Sequence, residues 1–144
     1  MARSPAAGDF FSDYLQTAVG PGELLVEVRV PKLGEGWGFH YEKFHRVAQA
    51  WAIVGVAAAV RRSNGSITEA RLALTNMGAT PIRARAVEQA LAGVAADDAA
   101  VAAAAARADE GTDPPSDLGG KADYRRHLVR VLTRRAVLAA GART

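Results

Sequence analysis

Residues 41–77 read YEKFHRVAQAWAIVGVAAAVRRSNGSITEARLALTNM, and their pattern decides the fold. Within them, residues 51–62 form a nearly continuous apolar run rich in valine and alanine, the pattern of a central strand covered on both faces. Asn64-Gly65 between Ser63 and Ser66 is a two-residue hairpin signal, because both central positions of the favoured turn need positive φ. The strand that follows, 67–77, alternates. A tight turn sets the register. Gly55 is expected opposite Leu74, Ala57 opposite Leu72 and Ala59 opposite Ala70 on one face. Val56 then faces Ala73, Ala58 faces Arg71 and Val60 faces Glu69 on the other, which carries Arg71 and Glu69 toward its outer end and is expected to be only partly buried. Small residues paired with leucines predict a helix packed on the first face, and a one-residue slip would exchange the two faces.

Upstream, FFSDYLQTA spaces Phe10, Phe11, Tyr14 and Leu15 as a helix would, so a short helix is expected over 9–18, ended by Gly20-Pro21-Gly22. ELLVEVRVP (23–31) alternates as a half-buried strand does, with Leu24, Val26, Val28 and Val30 on one side and Leu25, Glu27 and Arg29 on the other; Pro31 stops it. Leu25 therefore falls on the polar side, where it is either simply exposed or rests against a ligand or partner. Residues 37–46 form another strand, in which Trp37, Phe39, Tyr41, Lys43 and His45 share a face. Lys43 among aromatics has two readings: its stem covers the rings while the ammonium reaches water, or the ammonium faces a ligand.

Downstream, Thr80-Pro81 has the form of a helix start, threonine as cap and proline at the first helical position, running to about Leu91 and ended by Gly93. Asp97-Asp98 opens an alanine-rich packing helix. EGTDPPSDLGG (110–120) is a turn-rich loop. Residues 123–140 make the last helix, with Tyr124, Leu128, Val131, Leu132 and Leu138 as its apolar stripe. The fold class is α+β: a small antiparallel sheet of three to four strands with a three-helix layer on one face. A single domain spanning 1–144 is expected, with the short helix and sheet in 9–77 and the helices in 80–140.

The composition, 49% hydrophobic and 23% charged, is that of an ordinary globular chain. The absence of cysteine rules out disulfides, thiolate nucleophiles and cysteine-ligated metal centres. No signal pattern or run of about 18 apolar residues is present, so a cytoplasmic protein without a membrane span is expected. His40, His45 and His127 have no metal-ligand spacing, and no nucleophile elbow, phosphate loop or dinucleotide fingerprint follows a strand. Catalysis by protein side chains alone is not expected. Arginines crowd the last helix, but no aromatic platform accompanies them, so the basic stripe reads as a solvated helix face rather than a nucleic-acid site.

YEKFHRVAQAWAIVGVAAAV, preceded by DFFSDYLQTAVGPGELLVEVRVP, resembles the flavoprotein (medium) subunit of molybdenum hydroxylases, the family of carbon monoxide dehydrogenase and xanthine dehydrogenase. LTNMGATPIRARAVEQALAG and DYRRHLVRVLTRRAVLAA are similar to later segments of that subunit, in the same order. The resemblance implies the small C-terminal domain, with FAD held mainly by upstream glycine-rich pyrophosphate-binding segments that this sequence does not contain. It implies that the domain lies over the flavin and lends it a few contacts. By position, Leu25 of ELLVEV matches a residue lying against the cofactor, and Lys43 of YEKF a lysine near the isoalloxazine. The sequence departs from the pattern at His45-Arg46, where paired arginines are usual, and at Ala50, where an acidic residue is.

The implied role is to cover FAD and support electron transfer from iron–sulfur clusters to flavin in an assembled oxidoreductase, with no activity expected of the chain alone. The implied partners are an N-terminal flavin-binding domain, a molybdenum large subunit and an iron–sulfur small subunit. A non-catalytic interaction module derived from the same domain is the alternative, with nucleic-acid binding through the last helix a remote third.

Overall fold

The computed structural model describes residues 2–143. In chain order they form α1 (Ala7–Phe10), β1 (Phe11–Asp13), β2 (Gln16–Thr17), β3 (Trp37–Phe44), β4 (Val54–Ser63), β5 (Ser66–Thr75), β6 (Ile82–Arg83), α2 (Arg85–Leu91), α3 (Asp98–Ala105) and α4 (Ala122–Gly141). The strands β3-β4-β5-β6 make one antiparallel sheet in that order, and β1 and β2 a separate pair. α4 lies against β3 and β4, α2 against β5, and α3 touches both helices. This is the expected α+β architecture, with helices on one sheet face. No helix among the described residues is long and apolar enough to cross a membrane.

The hairpin forms as its turn residues predict: Asn64 and Gly65 have φ of 49° and 78°. The register, however, slips by one residue. Arg61 pairs with Glu69 but Arg62 with Ile67, leaving Thr68 as the extra residue of a bulge. Its hydroxyl donates to the Arg61 carbonyl at 3.1 Å. Beyond the bulge Val56 faces Leu74, Ala58 faces Leu72 and Val60 faces Ala70, while Gly55 faces Thr75, Ala57 faces Ala73 and Ala59 faces Arg71. The faces are exchanged relative to the turn-derived register. Val56, Val60 and Leu72 are wholly buried under the helices. The expectation of a central strand covered on both faces is corrected too: Ala57 is exposed, and only one face of β4 is covered by this chain.

The helix side is tight. A Cβ on Gly38 would lie 1.9 Å from the Ala140 carbonyl oxygen, so only glycine lets α4 approach β3 this closely. Val129, Leu132, Ala136, Val137 and Ala140 supply the buried stripe of α4. The predicted stripe is right at Leu128 and Leu132, and Leu138 packs partly buried against the core, but Tyr124 is 45% exposed and Arg125 stands buried in its place.

Three local expectations give way to tertiary pairing. Thr80-Pro81 does not start a helix: Ile82 and Arg83 add an edge strand to β5, and α2 begins at Arg85 after Ala84, which provides no side-chain cap. The free edge of β5 offers ladder hydrogen bonds there, and the Ala84 amide donates to the Leu72 carbonyl at 3.0 Å. The expected helix over 9–18 is a four-residue turn of helix followed by the β1–β2 pair, with Leu15 at φ 55° and α1 burying nothing. A short segment with no surface to pack on gains too little to pay for helix nucleation. Residues 23–30 form no strand either: they run without a sheet partner, and Leu24, Val26, Val28 and Val30 are between 71% and 88% exposed. Elsewhere local signals hold. The Asp97 carboxylate caps α3 by accepting from the Ala100 amide at 2.8 Å, and Gly93, at φ 79°, ends the turn after α2.

Candidate functional site: the uncovered face of the sheet

Alternation along β3 sends Gly38 toward α4 and its odd-numbered neighbours away from it. Phe39 and Tyr41 are each 52% exposed on that outer face, with Lys43 beyond them at the end of the strand. β4 contributes Gly55, Ala57 and Ala59 to the same face, and β5 contributes Arg71, Ala73 and Thr75. The result is a shallow trough of about 500 Å³, floored by alanines and walled by Phe39 and Tyr41 on one side and Arg71 and Arg83 on the other. Its volume lies in the range of small-molecule sites, about 300–1,000 Å³.

Small residues are what make the face concave. The Tyr41 ring reaches over Gly55, where a Cβ would stand 2.5 Å from the phenol oxygen and 2.7 Å from Thr75 Cγ2. Arg71 reaches across Ala59 to place its guanidinium 5.1 Å from the Trp37 ring centroid.

The arginines of the wall are neutralised. Arg71 donates to Glu69 at 2.9 and 3.0 Å. Arg83 donates to both Glu88 oxygens at 2.8 and 2.9 Å, and Glu88 also accepts from the Leu72 amide at 2.7 Å. Lys43 is different: among the described residues its ammonium has no hydrogen bond or ion pair, and it is exposed. Its backbone carbonyl lies 3.3 Å from His45 Nδ1. His40 and Glu42, on the helix-side positions of β3, contact each other at 3.1 Å.

The two predicted site residues are thus placed differently. Lys43 stands on the uncovered face, as its spacing with the aromatics requires. Leu25, 59% exposed, belongs to the unpaired segment and not to the sheet that carries Lys43. The structure does not join them in one layer, and neither is walled in by the helices. Sequence reading missed the Tyr41–Gly55 fit and the buried Arg125, although a glycine inside a strand and an arginine on an apolar helix face were the available signals.

Residues 39–140 match the CO dehydrogenase flavoprotein C-terminal domain. The chain is 38% identical over 139 residues to the carbon monoxide dehydrogenase medium chain of Hydrogenophaga pseudoflava, covering 96% of this chain and 48% of that one. It is 35% identical over 135 residues to the glyceraldehyde dehydrogenase medium chain of Sulfolobus acidocaldarius, covering 94% and 48%. Among solved structures, the H. pseudoflava carbon monoxide dehydrogenase superposes with a TM-score of 0.87 at 40% identity, over 94% of this chain and 47% of that one. Quinoline 2-oxidoreductase from Pseudomonas putida 86 gives 0.90 at 31% identity, over 97% and 48%. The chain spans about half the length of the relatives it matches. With a matching family domain over most of its length and the same fold in solved relatives, the chain belongs to the CO dehydrogenase flavoprotein C-terminal domain family.

Proposed function

We propose that this chain forms the lid of a flavin site in a molybdenum-hydroxylase-like oxidoreductase, with FAD gripped by polypeptide outside it. The observation that carries this reading is the uncovered sheet face: an apolar trough with a floor of small side chains beside an exposed lysine that has no partner among the described residues. A planar ring fits such a face, because Ala57, Ala59 and Ala73 leave room for it and Tyr41 and Phe39 give it an apolar wall. Bound FAD supplies the electron transfer. The chain's own part is to exclude water from one side of the ring and to hold Lys43 where its ammonium stabilises negative charge gathering on the ring. Leu25 adds an apolar contact only once residues 23–30 are ordered against the remaining polypeptide.

The proposed partners are an N-terminal flavin-binding domain, a molybdenum large subunit and an iron–sulfur small subunit from which the flavin receives electrons. No phosphate-gripping glycine loop lies in this sequence, so FAD alone is expected to bind weakly. The test mixes the chain with the half of the H. pseudoflava medium chain that it does not span, in the presence of FAD. Quenched flavin fluorescence that depends on this chain supports the reading. Submicromolar FAD binding by the chain alone, or a mixture in which flavin fluorescence ignores it, overturns it.

The exposure of Leu24, Val26, Val28 and Val30 favours a second reading, a non-catalytic interaction module. That reading predicts association with the same half-chain whether or not FAD is present, and unchanged flavin fluorescence.

A further inference from the structure

Where β3 ends, one buried charge fastens three parts of the chain together. Arg125, in the first turns of α4, is 1% exposed. Its Nη1 donates to the Ile53 carbonyl, its Nη2 to Asp117 Oδ1 at 2.6 Å and its Nε to the Gly120 carbonyl at 3.4 Å. The Ile53 carbonyl is also approached by Asn76 Nδ2 at 3.2 Å, which donates to Ala52 at 3.0 Å as well. The Ile53 amide in turn donates to the Phe44 carbonyl at 2.8 Å, closing the β3–β4 ladder next to Lys43. The Phe44 ring meets Tyr124, the neighbour of Arg125, edge to face at 6.3 Å.

Burying a guanidinium is costly, and a helix needs no arginine on its apolar face for packing. Here its only carboxylate partner among the described residues, Asp117, is half exposed and anchored by the Gly119 amide at 2.7 Å. The Ile53 and Gly120 carbonyls of two loops accept from its other two nitrogens. The arrangement spends a buried charge on fixing loops, not on filling the core. Trp51 and Leu118, 84% and 96% exposed, ride on the two loops so fastened.

We infer that Arg125, assisted by Asn76, is a positioning residue: it immobilises residues 45–53 and so sets where Lys43 stands at the edge of the uncovered face. The role toward Lys43 rests on the flavin reading proposed above, whereas the immobilisation does not.

Amide hydrogen exchange on the whole chain separates the two. Arg125→Met removes the donors while leaving Asp117 free to face water. The expected result is that the Ile53 and Ala50 amides exchange about tenfold faster or more, while Val56 and Leu72 amides keep their protection. Arg125→Lys restores part of the effect. Asn76→Gly keeps the positive backbone angle of this position (φ 60°) but loses both donors, and moves the same amides in the same direction even where Arg125→Met does not fold. Unchanged Ile53 exchange in a folded Arg125→Met chain, or in Asn76→Gly, overturns the proposal.

In the mixture with the complementary half-chain and FAD, Arg125→Met and Lys43→Gln are expected to lower the flavin midpoint potential together, with Arg125→Lys recovering it. A midpoint lowered by Lys43→Gln alone removes Arg125 from the site. A midpoint moved by neither sinks the flavin reading of Lys43, and the exchange data still report on the loop.

Discussion

The phenol oxygen of Tyr41 occupies the space that a Cβ on Gly55 would need, 2.5 Å from where it would stand. Each residue explains the other. Tyr41 sits opposite Ala57, and its ring can reach along the outer face over the next same-face position of β4 only because that diagonal neighbour, Gly55, carries no side chain. Gly55→Ala must push back both the ring and the Thr75 methyl, 2.7 Å away. Destabilisation of about 1–3 kcal/mol is expected in urea unfolding, and pairing it with Tyr41→Ala should recover much of the loss, since the second change empties the contested volume. Additive losses in the double variant would show that the ring is not the obstacle.

Gly38 poses a harder constraint, because the obstruction is backbone. Its Cβ would meet the Ala140 carbonyl at 1.9 Å, with the Arg143 backbone at 3.2 Å. α4 cannot yield there without lifting from β3. Gly38→Ala is expected to cost more than Gly55→Ala and to lower the melting temperature clearly, whereas Ala57→Ser on the outer face should change stability by about 0.5 kcal/mol or less.

The exchanged register gives a direct contrast between neighbouring residues. Leu72 is wholly buried against the helices, whereas Ala73 faces the trough. Leu72→Ala is expected to cost about 2–5 kcal/mol, and Ala73→Ser about 0.5 kcal/mol or less. The turn-derived register put both leucines on the same helix-packed face, but opposite the wrong partners in β4. It is β4 whose two faces trade places: Val56→Ala should therefore be costly and Ala57→Ser silent.

How much of this was legible follows from where the deciding interaction lies. The hairpin turn, the Asp97 cap, Gly93 and the outward placement of Lys43 are local: each depends on a few residues adjacent in sequence. The bulge at Thr68 is not, because nothing in SITEAR demands an extra residue until Leu72 and Leu74 must reach the same side as Val56 and Val60. The helical reading of Thr80-Pro81 failed for a similar reason, since the open edge of β5 competes for Ile82 and Arg83. Leu25 shows the converse. Its alternation is strand-like, yet a strand needs a neighbour to pair with, and among the described residues none is offered.

Acid should loosen the layer of helices. Arg130 grips both oxygens of Asp109 at 2.7 and 2.5 Å, and Arg134 grips Asp98, tying α4 to α3 and the turn after it. The side-chain hydrogen bonds from these arginines hold both carboxyls below the ordinary aspartate value of 3.8. A carboxyl depressed in the folded state contributes stability that is present above its unfolded value and is lost as pH falls through the folded one. Stability is therefore expected to be level from neutral pH down to about 5 and to fall below about 4. The ties are surface ones, so each contributes modestly. Asp109→Asn should flatten part of that acid limb in urea titrations at pH 3 and pH 6, and an unchanged slope would rule Asp109 out as a source.

Residues 23–30 offer an attachment strand. An extended segment whose Leu24, Val26, Val28 and Val30 stand 71–88% exposed, and whose backbone lacks a ladder partner among the described residues, has the form of a strand awaiting its sheet. Within this chain those side chains touch little, so Val26→Lys combined with Val28→Lys should leave the urea midpoint of the isolated chain unchanged. Against the complementary half of the H. pseudoflava medium chain, the same double variant should abolish association, because a sheet that accepts the segment would have to bury two ammonium groups. Glu27→Lys serves as the charge control: it adds a cation at a position already polar, and binding should survive it. Loss of binding in all of these variants alike would point to general electrostatics rather than strand addition. Retention in the double variant would mean that the segment is not the attachment point, and that the uncovered face of β3–β5 alone holds the two halves together.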